Sequence, residues 1–174
     1  MTKQDTSENQ AKNIYLGIGS NLGNRISNIE KAKSLLEEKN IKLISISKYY
    51  ETPSWPNPKN PKFINIVLKI KCQIKPYELL SICKSIEVKL GRKKAAKNSP
   101  RVCDIDIIDF NGLILNDKLN LPHKMMHKRS FVLFPLFEIE IHFLLFSSNN
   151  DLAFSILVIL FPRFEPIPKY IFLA

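Results

Sequence analysis

Apolar Ile14, Leu16 and Ile18 alternate with Tyr15, Gly17 and Gly19, a two-residue period that predicts a short strand running into the turn-rich Gly19-Ser-Asn-Leu-Gly23. The period then changes. Ile26, Ile29, Ala32, Leu35 and Leu36 recur at helical spacing and end near Asn40, and Ser27 followed three residues later by Glu30 predicts a capping box at the helix start. Ile41 to Tyr50 is rich in β-formers and predicts a second strand. Four prolines between Pro53 and Pro61 then forbid both helix and central strand. The clearest alternation sets Ile64, Ile66, Leu68, Ile70 and Cys72 against Phe63, Asn65, Val67, Lys69 and Lys71, so a third strand has one core face and one face free for function. Pro76 opens a second helix with a stripe of Leu79, Cys83, Ile86 and Leu90, and Gly91 is placed to stop it. Asp104 to Phe110 reads as a fourth strand with Asp104, Asp106, Ile108 and Phe110 on one face. The order βαββαβ predicts an α+β fold: a ferredoxin-like core in which an antiparallel sheet is backed by two helices.

Length and charge narrow the chemistry. The 174 residues suit a single domain, and the formal charge of +10 predicts a polyanionic partner: nucleic acid, an anionic membrane surface or nucleotide phosphates. Arg92, Lys93, Lys94, Lys97 and Arg101 come immediately before Asp104 and Asp106. Two carboxylates two residues apart in a strand point the same way and can share hard cations, while the preceding loop offsets phosphate charge. Cys72, Cys83 and Cys103 form no C-x-x-C pair, and their odd number predicts reduced thiols in a cytoplasmic protein. His123 and His127 lie four apart, but Lys124 stands where a zinc-protease helix carries glutamate, and Pro122 breaks the helix such a motif needs. No zinc site is expected there, and His127 has no assigned role.

Six segments in order carry a resemblance: Gly17-Ile-Gly-Ser-Asn-Leu-Gly23, Tyr50-Glu-Thr-Pro53, Phe63-Ile-Asn65, Leu90-Gly-Arg92, Pro100-Arg-Val-Cys-Asp-Ile-Asp106, and Leu121-Pro-His123 with Arg129 and Phe131. Together, over about residues 13–139, they resemble the 6-hydroxymethyl-7,8-dihydropterin pyrophosphokinases of folate biosynthesis. The resemblance implies a ferredoxin-like core and transfer of the terminal pyrophosphate of ATP to the pterin hydroxymethyl group, with release of AMP. It implies Asp104 and Asp106 as ligands of two Mg2+ ions, with Arg92 and Arg101 beside them as catalytic residues. ATP would be held by Glu87, Arg92, Lys94, Lys97, Arg101, His123 and Arg129, and the pterin by Thr52, Pro53, Phe63, Asn65 and Phe131. Dihydropteroate synthase, the next enzyme of the pathway, is the pathway partner it suggests. Neither nucleic-acid binding nor stable membrane insertion is expected.

The chain departs from the family pattern in two places. Lys94 and Lys97 stand where the family's loop carries arginines, and Asn98-Ser99 where it carries Trp-Gly; charge is kept but planar, bidentate contacts are lost. Weaker ATP binding or slower turnover is the expectation. From Glu140 the chain becomes strongly apolar, giving a three-part organisation: a flexible polar tail over 1–13, the pyrophosphokinase domain over 14–139, and a divergent C-terminal extension over 140–174. The run Leu152 to Phe161 is too short to span a bilayer, which needs ~20 apolar residues. A replaced terminal element, a membrane-surface contact and translated frameshift debris all remain open. The competing functional readings are a degenerate, inactive pseudoenzyme and a basic ferredoxin-like nucleic-acid-binding domain.

Overall fold

The computed structural model describes residues 12–96 and 98–147, with the side chains of Lys12 and of residues 141–147 excepted. Most of the expectations for the 1–13 tail and the 140–174 extension lie outside the described residues.

Strand β1 (Lys12–Ser20) begins two residues before the alternation predicted and lies at the sheet centre, between β4 (Phe63–Cys72) and β5 (Asp104–Phe110). With β2 (Lys42–Ile46) at one edge the order is β2-β4-β1-β5, antiparallel throughout, which is the ferredoxin-like arrangement predicted. The predicted second strand divides in two. β3 (Tyr50–Thr52) pairs separately with Phe63–Asn65, because Ser47 occupies the gap: its amide donates to the Val67 carbonyl, and its Oγ accepts from the Val67 amide at 3.0 Å. A β6–β7 hairpin (Leu115–Asn116 and Asn120–Leu121) follows β5.

Helices α1 (Arg25–Glu37) and α2 (Pro76–Lys89) bury Ile29, Ala32 and Leu36, and Leu79, Cys83 and Ile86, against Ile14, Leu16, Ile18 and the even-numbered residues of β4. The cap of α1 differs from the predicted Ser27–Glu30 box. Asn24 accepts from the Ser27 amide at 3.1 Å, so Ser27 is already in the first turn, and the Glu30 carboxylate bonds Lys33 and Tyr49 instead.

The sheet's second face is less free than the alternation implied. Helix α3 (Ser130–Ser147) crosses it, burying Val132 and Ile139 against Val67 and Ile108. Tyr15 donates to Glu140 at 2.8 Å and Tyr50 to Glu138 at 2.9 Å, fixing the helix to the strands. Phe110 does not share the face of Asp104, Asp106 and Ile108. The β1–β5 register passes from Tyr15↔Asp109 to Leu16↔Ile107 and leaves Ile108 as an extra, bulged residue. The bulge turns Phe110 into the core beneath α1 and α2, while Ile108 remains on the α3 face with the carboxylates.

Candidate active site

The cleft begins with two glycines. In the sheet register Gly19 lies between Asp104 and Asn65, and Gly17 between Asp106 and Val67. Side chains directly opposite one another share a face, so each row has its middle side chain missing and the sheet surface is hollow there. The hollow is closely fitted: a Cβ on Gly19 would lie 2.9 Å from Asn65 Oδ1 and 3.3 Å from Phe63 Cδ1. The sequence pattern assigned these glycines to a strand running into a turn. A pair of glycines at i, i+2 on a non-core strand face was the signal that could have identified a floor.

Above this floor is a cleft of about 120 Å3 lined by Thr52, Pro53, Phe63, Asn65 and Phe131, the five residues expected to hold a pterin, together with Arg101, Asp104, Asp106, His123 and Arg129. A second space of about 480 Å3 shares those last five residues and extends to Lys84, Arg92, Lys93 and Lys94. The two compartments therefore meet at the carboxylates. Asn65, 7 % exposed, donates to Thr52 Oγ1 at 2.8 Å, which fixes its amide at the cleft wall.

Two arginines link the compartments in parallel fashion. Arg101 is 3.0 Å from Asp104 Oδ2 and its guanidinium lies 6.0 Å from the Phe63 ring centre. Arg129 is 3.4 Å from Asp106 Oδ2 and 5.6 Å from the Phe131 ring centre. Each cation thus lies near one aromatic wall and one carboxylate, a placement suited to cation–π attraction. The buried Arg129 Nε has no acceptor among the described residues. Arg92 donates to Asp104 Oδ1 at 2.6 Å. Burial raises the Asp104 pKa, but Arg101 and then Arg92 outweigh it and hold the carboxyl below its ordinary value. His123 is displaced downward from 6.5 by burial and by Arg129, which together outweigh the opposing pull of Asp106.

Glu87 stands apart from the expected ATP contacts. It lines neither compartment and is 1 % exposed beneath them. Its Oε1 accepts from the Ile105 amide at 2.7 Å and from Lys84 at 2.8 Å, and its Oε2 lies 2.5 Å from Arg92. It holds the backbone between the two aspartates and one cation above them. Lys97 lies outside the described residues, and His127 is exposed on a 3-10 turn and lines no described cleft.

Sequence reasoning missed Asn21, Lys84, Trp55 and Asn98. Asn21 is 2 % exposed and joins two loops: its Oδ1 accepts from the Arg101 amide at 2.7 Å and its Nδ2 donates to the Pro61 carbonyl at 3.1 Å. Nothing local marks it, since its partners are distant in sequence. Lys84, one turn before Glu87, was the more legible omission.

A family profile described as 7,8-dihydro-6-hydroxymethylpterin-pyrophosphokinase (HPPK) matches residues 15–141. The chain is 43 % identical over 128 residues to the 2-amino-4-hydroxy-6-hydroxymethyldihydropteridine pyrophosphokinase of Aquifex aeolicus, covering 73 % of this chain and 79 % of that one. It is 36 % identical to the Bacillus subtilis protein of the same name, over 72 % of this chain and 76 % of that one. It is also 36 % identical to the mitochondrial folate synthesis bifunctional protein of Arabidopsis thaliana, over 72 % of this chain but only 23 % of that longer protein. With the profile spanning most of the chain and this cleft beneath it, the chain belongs to the hydroxymethyldihydropterin pyrophosphokinase family.

Proposed function

We propose a division of labour among these residues for the reaction of the family, transfer of pyrophosphate from ATP to 6-hydroxymethyl-7,8-dihydropterin in folate biosynthesis. The pterin hydroxyl oxygen bonds to the β-phosphorus, the bond from that phosphorus to the α–β bridging oxygen breaks, AMP departs and the hydroxyl proton is lost to solvent. The observation that carries the assignment is the position of Asp104 and Asp106, shared by a small aromatic compartment and a larger cationic one.

The small compartment takes the pterin. Phe63 and Phe131 offer apolar faces to a flat bicycle, and the Asn65 amide, fixed by Thr52, reads its polar edge. Pro53 shapes the wall. Such a buried amide discriminates strongly against rings lacking the matching groups, because it is otherwise left unpaired. The larger compartment takes the triphosphate, with Arg92, Lys94, Arg101 and Arg129 as cations and His123 beside Asp106. Holding hydroxyl and phosphorus in line across the junction supplies most of what phosphoryl chemistry asks of a protein. Lys97 belongs to the same loop and is assigned to ATP on sequence grounds alone.

Two carboxylates on one strand face suit Mg2+, which takes one or two protein carboxylates and completes its shell with water and substrate phosphates. Asp104 and Asp106 would hold it, two ions being the expected complement. When bound, Mg2+ supplies charge neutralisation at the attacking and leaving oxygens. Arg92 and Arg101, which bond Asp104 here, are positioned to turn toward phosphate oxygens when that carboxylate takes a cation.

Two wider assignments belong to the same reading. A cytoplasmic location is supported by Cys83 and Cys103, buried thiols that burial pushes up to about 12. Association with dihydropteroate synthase is supported by the match to longer relatives named as folate synthesis bifunctional proteins. The deciding experiment follows AMP release with ATP, Mg2+ and reduced hydroxymethylpterin, beside Asp104→Ala and Asp106→Ala. AMP that requires pterin and both aspartates supports the assignment. A folded wild-type protein that forms none refutes it and favours a decayed enzyme.

A further inference from the structure

Between β3 and β4 the chain leaves the small compartment at Thr52 and returns to it at Phe63. Three residue pairs join these strands: Tyr50↔Asn65, Glu51↔Ile64 and Thr52↔Phe63. So short a ladder holds little register by itself, and its last pair closes a loop whose prolines, Pro53, Pro56, Pro58 and Pro61, have no amide hydrogen with which to extend it. Strand alternation turns Glu51 away from Thr52, to the side of Ile64, whose side chain lies in the core beneath α1 and α2. On that side Arg25, the first residue of α1, grips both ends of the loop with one nitrogen. Its Nη1 donates to Glu51 Oε1 at 2.8 Å and to the Lys62 carbonyl at 2.9 Å. Lys62 Nζ lies 3.4 Å from the other Glu51 oxygen. The Arg25 bond outweighs the burial that raises the Glu51 pKa and, with Lys62, holds that carboxyl below its ordinary value, so the ion pair is intact at neutral pH. Neither Arg25 nor Glu51 lines the compartment, yet Glu51 and Lys62 are the chain neighbours of Thr52 and Phe63, which do.

We propose that Arg25 is a positioning residue for the pterin compartment, a clamp on the helix side of the sheet that fixes Thr52 and Phe63 on the other side. The inference rests on the pyrophosphokinase reading of that compartment. Thr52 holds the Asn65 amide through a 2.8 Å bond and Phe63 supplies an aromatic wall, so splaying the base of the loop displaces both at once. The cations assigned to ATP lie elsewhere: Arg92, Lys94 and Arg101 follow α2, and Arg129 precedes α3. Loss of the clamp is therefore felt by one substrate. Asn21 holds the Pro61 carbonyl at 3.1 Å independently, so the loop keeps a tie at its second end and is displaced rather than unfolded.

The test measures steady-state AMP release, with each substrate varied in turn, for wild type, Arg25→Ala, Glu51→Ala and the double variant, with urea unfolding alongside. The pterin KM should rise about 5-fold in Arg25→Ala, the upper end for a partly exposed ion pair, while kcat and the ATP KM stay within two-fold. Glu51→Ala should raise it about 3-fold, because Arg25 keeps the Lys62 carbonyl. Since the two groups act through each other, the double variant should match Arg25→Ala alone. Glu51→Ala breaks the same tie from the strand, so the proposal stays testable if Arg25→Ala does not fold. A pterin KM within 1.5-fold of wild type in the folded variants overturns it. So do single effects that multiply in the double variant, or pterin and ATP constants that rise in parallel. A wild-type protein showing no pterin-dependent AMP release is a separate result: it overturns the pyrophosphokinase reading and this inference with it.

Discussion

Replacing Gly19 by alanine tests the hollow floor directly. The backbone tolerates it, because the glycines with positive φ are Gly23, Gly91 and Gly112 and Gly19 is an ordinary strand residue. The obstacle is space. The new methyl group would lie 2.9 Å from Asn65 Oδ1 and 3.3 Å from Phe63 Cδ1, so both must shift by a few tenths of an ångström. Asn65 is held by its 2.8 Å bond to Thr52, so moving the amide weakens that bond and misaligns the group that reads the pterin edge. A hydrogen bond contributes about 0.5–1.5 kcal/mol net. Two of them weakened together, with the ring displaced, cost about 2 kcal/mol. At about 1.4 kcal/mol per decade, the pterin KM should rise about 30-fold. Stability should fall by about 1 kcal/mol, because overpacking of about 1–3 kcal/mol is partly offset by about 0.4–1 kcal/mol from the less flexible unfolded chain. The assay is steady-state AMP release with each substrate varied in turn, alongside urea unfolding. The reasoning fails if the pterin KM stays within two-fold of wild type. It fails equally if the pterin and ATP constants rise in parallel, which would mark general distortion.

Three further outcomes are expected. Asp104→Asn should lower kcat by about 100-fold or more while the protein remains folded, the scale of losing one preorganised charge contact in a reacting site; circular dichroism and turnover with Mg2+ test this together. Glu87→Ala should destabilise the fold by about 1–3 kcal/mol, because it leaves the Ile105 amide buried without an acceptor and removes a partner of Arg92; a urea midpoint equal to wild type would contradict it. His123 has a folded pKa below its ordinary 6.5, so the unfolded chain binds the proton more readily. Its contribution to stability is therefore present above 6.5 and lost as pH falls through the folded value. Urea midpoints against pH, measured without Mg2+ or nucleotide, should show this acid-side loss in wild type and a shallower one in His123→Gln.

Local sterics and period are properties of neighbouring residues, and the sequence alone determined what depends on them. Helices α1 and α2, the three long strands and the α+β order follow from spacings of two or of three to four residues, and the proline-rich loop from the prolines' own sterics. The cationic run before Asp104 and Asp106 and the Phe63–Asn65 pair were legible for the same reason: each is a short segment whose residues act together. The tertiary structure decided what depends on pairing between distant segments. Register put Gly19 between Asp104 and Asn65 and Gly17 between Asp106 and Val67, and so made a floor from residues that read locally as strand and turn. The bulge at Ile108 turned Phe110 away from the carboxylates, which the period of a regular strand cannot foretell. Burial made Glu87 a support for the Ile105 amide and Arg92, and Asn21 a tie between residues 80 and 40 positions away. Chemistry of this kind is written in residue types, but its geometry exists only after the sheet has brought those residues together.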